Sequence, residues 1–143
     1  MKLLKGIIWK LLIFLIPLAI FSYLKISYSE LVNMDNIFLG SIALGSASLG
    51  FFIAGLSIMQ TSNFSKFYKV LVDLGTNKKI TAWLMASIGY LFLLSFLSLF
   101  LLFFMNYDHA IIGILFNIWL ATLTASFLSS FFVTSIIIIV FSK

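Results

Sequence analysis

The sequence contains no cysteine and no arginine, and it has only nine lysines, four acidic residues and one histidine among 143 residues. Without cysteine the chain can form neither a disulfide nor a thiolate nucleophile. Metal sites in proteins need clustered histidine, cysteine or carboxylate ligands, and these dispersed residues do not supply a cluster. The single histidine, His109, follows Asp108 between two apolar stretches, and we interpret it as a solvated loop residue.

The groups that most enzymes need are also missing from the apolar parts of the sequence. A serine nucleophile requires a base within reach, and no histidine or lysine lies inside the long uncharged stretches. An intramembrane aspartyl protease or a proton-coupled carrier would need a carboxylate there. The glycines between residues 40 and 55 lack the lysine of a phosphate-binding loop. We therefore predict no catalytic residues, no cofactor and no metal ion, and hence no enzyme.

What the sequence does contain is long stretches without a charge, at residues 11–24, 36–65, 80–107 and 110–142. Hydrophobic residues make up 63% of the chain, and its mean hydropathy is +1.22. A helix needs about 20 apolar residues to cross a hydrocarbon core about 30 Å thick. The fourth stretch is about 50 Å long as a helix, so it must tilt, break or project. We predict an all-α membrane protein, a four-helix transmembrane bundle in one domain, residues 1–143, with spans at about residues 6–24, 37–59, 80–105 and 110–141.

The first span also has features of a secretory signal peptide, because Lys2 and Lys5 precede an apolar run. No small-x-small cleavage pattern follows Ala19, so we interpret the segment as a retained signal anchor. Lys10 and Lys25 enclose only 14 residues. Both side chains can extend their ammonium groups to the membrane surface, so a helix over residues 6–24 can still cross.

The lysines predict the orientation in the membrane. With four spans, eight of the nine lysines fall on one side, and only Lys25 falls on the other. The positive-inside rule then places both termini in the cytoplasm. The net charge of +5 sits at the span ends, where anionic lipid headgroups account for it. We therefore expect the lipid bilayer, rather than nucleic acid, as the partner of this charge.

The second span is unusual because 11 of the 18 residues from 40 to 57 are glycine, alanine or serine. Small residues let helix backbones approach closely in lipid, so we predict that this helix contacts several neighbours or a second subunit. Ser46, Gly50 and Ala54 share one face at four-residue spacing. A gating or hinge role for the glycines is the alternative. The candidate helix-packing residues are Gly40, Gly45, Ser46, Gly50, Ala54 and Gly55.

The segment at residues 60–79 joins the second and third spans and has an amphipathic pattern. Large apolar residues recur there at helical spacing from Phe64 to Leu74, which predicts a short helix in the membrane interface. The segment is either a linker that coats the headgroups or a docking surface for a cytosolic partner or signal. The candidate docking residues are Phe64, Lys66, Phe67, Lys69 and Leu71.

Polar side chains in the third and fourth spans form two stripes. In hydrocarbon, hydroxyl and amide groups form hydrogen bonds to neighbouring helices, which favours a role of these side chains in helix packing. A wetted pore lining is the alternative, because channels can select through hydroxyl groups, backbone carbonyls or hydrophobic gates. The stripe residues are Ser87, Ser95, Ser98, Asn117, Thr122, Ser126, Ser129 and Ser130.

Residues 48–75, SLGFFIAGLSIMQTSNFSKFYKVLVDLG, join a Gly-Phe-rich span ending in Leu-Ser-Ile to a linker with a short Phe-Lys element. This segment resembles small four-span bacterial membrane effectors of anti-phage defence systems. The resemblance implies a pore that permeabilises or depolarises the bacterial inner membrane and is triggered from the cytoplasmic face.

Taken alone, the residues favour a homo-oligomeric channel subunit, with a tetramer as the working hypothesis and the third or fourth span facing the axis. Two other classes have the same composition. One is a phage holin, which is also small, apolar and tipped with lysine. The other is a non-conducting subunit or assembly factor of a larger membrane complex.

Overall fold

The computed structural model describes residues 2–26, 31–61, 77–104 and 110–141, and these residues form α-helices without any strand among them. The all-α prediction is therefore confirmed for this part of the chain. The helices run in the order α1 (Lys2–Leu24), α2 (Met34–Thr61), α3 (Asn77–Phe104) and α4 (Ala110–Phe141).

Three of these helices are long and apolar enough to cross a membrane. Their apolar parts span Met34–Ser57, Lys78–Phe104 and Ala110–Ile136, which contain 24, 27 and 27 residues. At 1.5 Å per residue each is at least about 36 Å long, which exceeds a hydrocarbon core of about 30 Å. The prediction of a multi-pass membrane protein is confirmed to this extent by length and composition.

The described apolar part of the first helix is shorter than those of the other three helices. This part covers Ile8–Leu24 and reaches only about 25 Å. Lys25 follows in the left-handed region, with φ of 48°, and Asn33 with φ of 62° precedes α2. Asparagine tolerates this conformation, and its carbonyl accepts a hydrogen bond from the Ile37 N–H at 3.2 Å. Residues in the left-handed conformation thus follow the end of α1 and precede the start of α2.

The fourth helix is continuous across all 32 of its residues. Of the three outcomes expected for its excess length, a break is therefore ruled out. A continuous helix of about 48 Å must tilt across a 30 Å core or extend beyond it.

The helices pack mainly as α2 on α3, α3 on α4 and α4 on α1. Helices α3 and α4 are antiparallel, since Trp83 near the start of α3 packs on Phe132 near the end of α4. Helix α2 is antiparallel to α3, because its first residue Met34 shares a cluster with Leu101 near the end of α3. Two clusters fill the interior. The larger contains Met34, Phe38, Leu94, Leu97, Leu101, Ile112, Phe116 and Trp119. The smaller contains Phe52, Leu84, Leu91 and Val133.

The first helix also contacts α3, through residues Lys10 and Phe14. The Tyr90 hydroxyl donates to the Lys10 carbonyl at 2.7 Å, and the Tyr90 ring stacks on Phe14 with centroids 6.3 Å apart. Lys10 additionally lies over the ring of Trp83. Because α1 and α3 begin at the same end, they run parallel to each other and antiparallel to α4.

Candidate functional site

The backbones of α2 and α3 approach each other closely at Gly45. A Cβ atom added there would overlap the Ser95 hydroxyl and would lie 3.2 Å from the Leu91 carbonyl oxygen. The Ser95 hydroxyl already donates to that same carbonyl at 3.0 Å. A residue without a side chain is therefore needed at position 45 for the two backbones to come this close.

The other candidate packing residues have different surroundings. A Cβ added at Gly40, Gly50 or Gly55 would meet no heavy atom within 4 Å. Gly40, Ser46, Gly50 and Ala54 are exposed, and Gly55 is half-buried. Ser46 satisfies its hydroxyl within its own helix, by donating to the Ile42 carbonyl at 2.6 Å. The small residues of α2 are thus divided between a contact with α3 and an exposed surface.

Six exposed residues of α2, five of them glycine or alanine, form one continuous strip, which we call the outer face of α2. At 100° per residue its members fall within an arc of about 80°, and no other residue of Met34–Ser57 lies in that arc. They follow each other in alternating steps of four and three residues, the spacing of a helix–helix seam. All are exposed in the single chain: Asn36, Gly40, Ala43, Ala47, Gly50 and Ala54.

The inner face of α2 lies on the opposite side of the helix and is buried against α3 and α4. It consists of Met34, Phe38, Ser41, Gly45 and Phe52. Sequence reasoning grouped Ser46 with Gly50 and Ala54, but Ser46 lies outside the outer face. Among the outer-face residues, it named Gly40, Gly50 and Ala54 as packing residues but missed Asn36, Ala43 and Ala47. The alternating four-three spacing of these residues was present in the sequence and would have identified them.

Most of the predicted hydroxyl stripe lies between the helices. Ser87, Ser98, Thr122, Ser126 and Ser129 are fully buried. Each donates to a carbonyl three or four residues earlier in its own helix, at 2.7–3.1 Å. Ser95 is half-buried at the α2–α3 contact. These hydroxyl groups satisfy their hydrogen-bonding capacity without water and allow the helices to pack closely around them.

One of these serines also connects two helices. The indole N–H of Trp119 donates to the Ser98 hydroxyl at 2.7 Å, and both residues are fully buried. The Trp119 ring meets Phe38 edge to face, with centroids 4.9 Å apart, and stacks on Phe116. Trp119 therefore joins α2, α3 and α4 through one side chain, a role that the sequence pattern did not predict.

Two polar atoms of the stripe have no hydrogen-bond partner in the described part of the chain. Asn117 donates through Nδ2 to the Gly113 carbonyl at 3.1 Å, but its Oδ1 is buried and unpaired. The buried hydroxyl of Ser130 is also unpaired. Ser130 lines a cavity of about 80 Å³ together with Ser48 and Ser126. That volume exceeds the space one water molecule needs.

The remaining predicted residues cannot be placed. The interfacial helix falls largely on residues 62–76, and its candidate docking residues Phe64, Lys66, Phe67, Lys69 and Leu71 lie outside the described residues, as do Asp108 and His109. Among the residues that are described, no three histidine, cysteine, aspartate or glutamate side chains come together as metal ligands. No protein-family model matches the chain, and no curated protein or solved structure is significantly similar to it.

Proposed function

We propose that the chain is a subunit of a homo-oligomeric membrane pore, assembled through the outer face of α2. The observation that carries this proposal is the strip of small residues from Asn36 to Ala54, which no described residue covers. In lipid, helices associate by close packing rather than by the hydrophobic effect, and small residues permit that packing. A second copy of α2 provides a matching surface for this strip.

The outer surfaces of the other helices have a different character. Phe92, Phe96 and Phe103 on α3 and Phe127 and Phe131 on α4 are exposed. Large aromatic side chains hold a neighbouring backbone away and fill the irregular space between acyl chains. The contrast supports α2 as the helix at the subunit contact, with α3 and α4 facing lipid.

The conducting path, in our proposal, lies between copies of α2 rather than inside one chain. Two apolar clusters occupy most of the described interior of the single chain, and most of its buried hydroxyl groups bond to their own helices. Around an axis formed by several copies, neighbouring α2 helices touch along one part of this strip, and the part that faces the axis leaves room for water beside the polar side chain of Asn36. Channels can conduct past such surfaces without any charged residue.

We further propose that the protein crosses the bacterial inner membrane four times with both termini in the cytoplasm. Lys10 and Lys79 border the same pocket, and Lys25 lies beyond the far end of α1, which supports this orientation. The short apolar part of α1 can cross if Lys10 and Lys25 extend to opposite surfaces. Depolarisation during anti-phage defence, triggered by a cytosolic partner or signal, is the role that the resemblance of residues 48–75 supports.

A non-conducting subunit of a larger complex is the second candidate. The intrahelical bonds of Ser87, Ser98, Thr122, Ser126 and Ser129 favour it, because hydroxyl groups bonded in this way serve packing without lining a path. In this case the outer face of α2 would bind a different membrane protein.

Thiol modification of a conducting oligomer distinguishes these candidates. The natural chain has no cysteine, so Ala47→Cys introduces the only thiol. We expect purified protein in planar bilayers to conduct, and a charged thiol reagent to reduce the current of Ala47→Cys by at least about tenfold. Ile53→Cys is the matched control, because Ile53 is exposed on α2 about 100° away from the outer face. Absence of current in the parent would contradict the pore, and equal block of both variants would contradict the α2 lining.

A further inference from the structure

A pocket of about 500 Å³ lies at the end of the bundle where α1 and α3 begin. Three helices form its walls. The lining residues include Trp9, Lys10 and Ile13 from α1, Lys79 and Trp83 from α3, and Phe132 from α4. The volume falls within the range of pockets that bind small molecules, so it can hold a headgroup and the first carbons of a chain.

The lining combines two positive charges with large apolar surfaces. Lys10 and Lys79 supply the charges, and no acidic side chain contributes to the described lining. The rest of the surface is tryptophan, isoleucine, alanine and phenylalanine. A ligand that fits must therefore be anionic at one end and apolar next to it.

The walls are held in place by contacts that do not need a ligand. The Lys10 ammonium lies 5.7 Å from the centre of the Trp83 ring, and Trp83 packs on Phe132 with centroids 5.3 Å apart. The Tyr90 hydroxyl fixes the backbone of Lys10. An ammonium has three donors, and contact with a ring face leaves donors available for an anion. The pocket is thus formed before binding.

We propose that this pocket binds an anionic glycerophospholipid. Its phosphate lies between Lys10 and Lys79, and the start of an acyl chain lies along Trp83 and Phe132. Basic pockets between helices at the cytoplasmic surface suit such headgroups. A dissolved phosphate ion has the same charge but gains nothing from the aromatic walls, which is why we assign the site to a lipid. This proposal rests on the helices lying in a membrane, and it does not require α2 to self-associate.

Tryptophan quenching by brominated lipid tests the proposal. We would use Trp9→Phe, which removes the exposed tryptophan and leaves Trp83 in the pocket. Trp119 is buried about 20 Å further along the bundle and gives a constant background. In phosphatidylcholine vesicles, brominated phosphatidylglycerol should reach half-maximal quenching at a mole fraction at least about fivefold lower than brominated phosphatidylcholine does.

Charge variants in the Trp9→Phe background assign the binding to the two lysines. We expect Lys10→Gln and Lys79→Gln each to raise the half-quenching mole fraction of phosphatidylglycerol about fivefold, since a lysine near the surface contributes about that factor. Lys78→Gln is the matched control, because it removes a neighbouring charge that does not line the pocket. We expect it to change the value by less than about twofold. Circular dichroism would show that each variant keeps its helices.

Three results would overturn the proposal. Equal quenching by the two brominated lipids would exclude selection of the anionic headgroup. An equal effect of Lys78→Gln and Lys79→Gln would mean that the lipid is attracted by the general positive charge of this end of the bundle and not by the pocket. Displacement of the lipid by millimolar inorganic phosphate would assign the site to the dissolved ion. We expect Gly50→Leu to separate the subunits and to leave the half-quenching mole fraction unchanged. Lipid binding and subunit association are therefore measured independently, and one proposal can fail while the other holds.

Discussion

Both faces of α2 contain glycine, yet the glycines on the two faces have different surroundings. At Gly45 on the inner face, an added Cβ would overlap the Ser95 hydroxyl, whereas at Gly50 on the outer face it would meet nothing within 4 Å. The inner face combines its glycine with Met34, Phe38 and Phe52, which fill the spaces beside the close contact. The outer face has no such large residues.

This difference shows how a small residue can serve folding on one side of a helix and remain available on the other. The inner face already has its partner in α3, so its glycine is part of the fold of the single chain. The outer face has the same capacity for close approach but is exposed. Substitutions on the two faces should therefore affect different quantities, namely the stability of the chain and the association of its copies.

The largest effect is expected from Gly45→Leu. Its side chain would push α2 away from Ser95 and Leu91 and disturb both apolar clusters. We expect a loss of about 3 kcal/mol in the free energy of unfolding, measured by denaturant titration in detergent micelles. Unchanged stability would mean that α2 does not pack on α3 at this position.

The matched substitution on the outer face is Gly50→Leu. We expect the unfolding free energy to change by less than about 0.5 kcal/mol, because the side chain points into open space. Association should weaken at least about tenfold, measured by energy transfer between labelled copies in vesicles. A variant that assembles like the parent would show that the outer face of α2 contacts lipid.

A smaller effect is expected where the inner face reaches Trp119. Ser98→Ala removes the acceptor of the Trp119 indole N–H and leaves a buried donor unpaired. We expect the free energy of unfolding to fall by about 1 kcal/mol, measured by the same denaturant titration.

Ser87→Ala is the control for this loss. Ser87 is equally buried in α3 and bonds to the Trp83 carbonyl of its own helix. Equal losses in the two variants would indicate that the link between Ser98 and Trp119 contributes nothing measurable.

The smallest effect is expected at Asn117. Its Oδ1 is buried without a partner in the described part of the chain, so Asn117→Leu removes an unsatisfied atom along with one intrahelical bond. We expect the stability of the single chain to stay within about 1 kcal/mol of the parent. A larger loss on assembly alone would mean that a neighbouring copy provides the missing donor.

The helices could be predicted from the sequence because each apolar stretch is bounded by charges or turn residues. Lys25 and Asn33, for example, stand between α1 and α2. The length of an uncharged stretch can be read from the sequence, so the three long helices could be predicted directly. The first helix differs from these three, because its described apolar part, Ile8–Leu24, is shorter than theirs.

The division of α2 into two faces could not be predicted in the same way. Glycines at positions 40, 45, 50 and 55 recur every five residues and point in different directions. Which of them meets α3 depends on the register between the helices, and that register is set by Ser95 and Leu91, far away in sequence. The Trp119–Ser98 hydrogen bond likewise joins residues on two different helices, and no sequence pattern near either residue predicts the pairing.

The most direct test of the outer face as a subunit contact is disulfide cross-linking of single-cysteine variants along α2 in native membranes. Because the natural chain has no cysteine, every cross-linked dimer would report the introduced residue. We expect the dimer yield to peak at positions 40, 43, 47, 50 and 54 and to fall at Ile53 and Leu44 between them. Equal yields around the whole helix, or higher yields at exposed positions of α3 such as Phe92, would contradict an interface formed by α2.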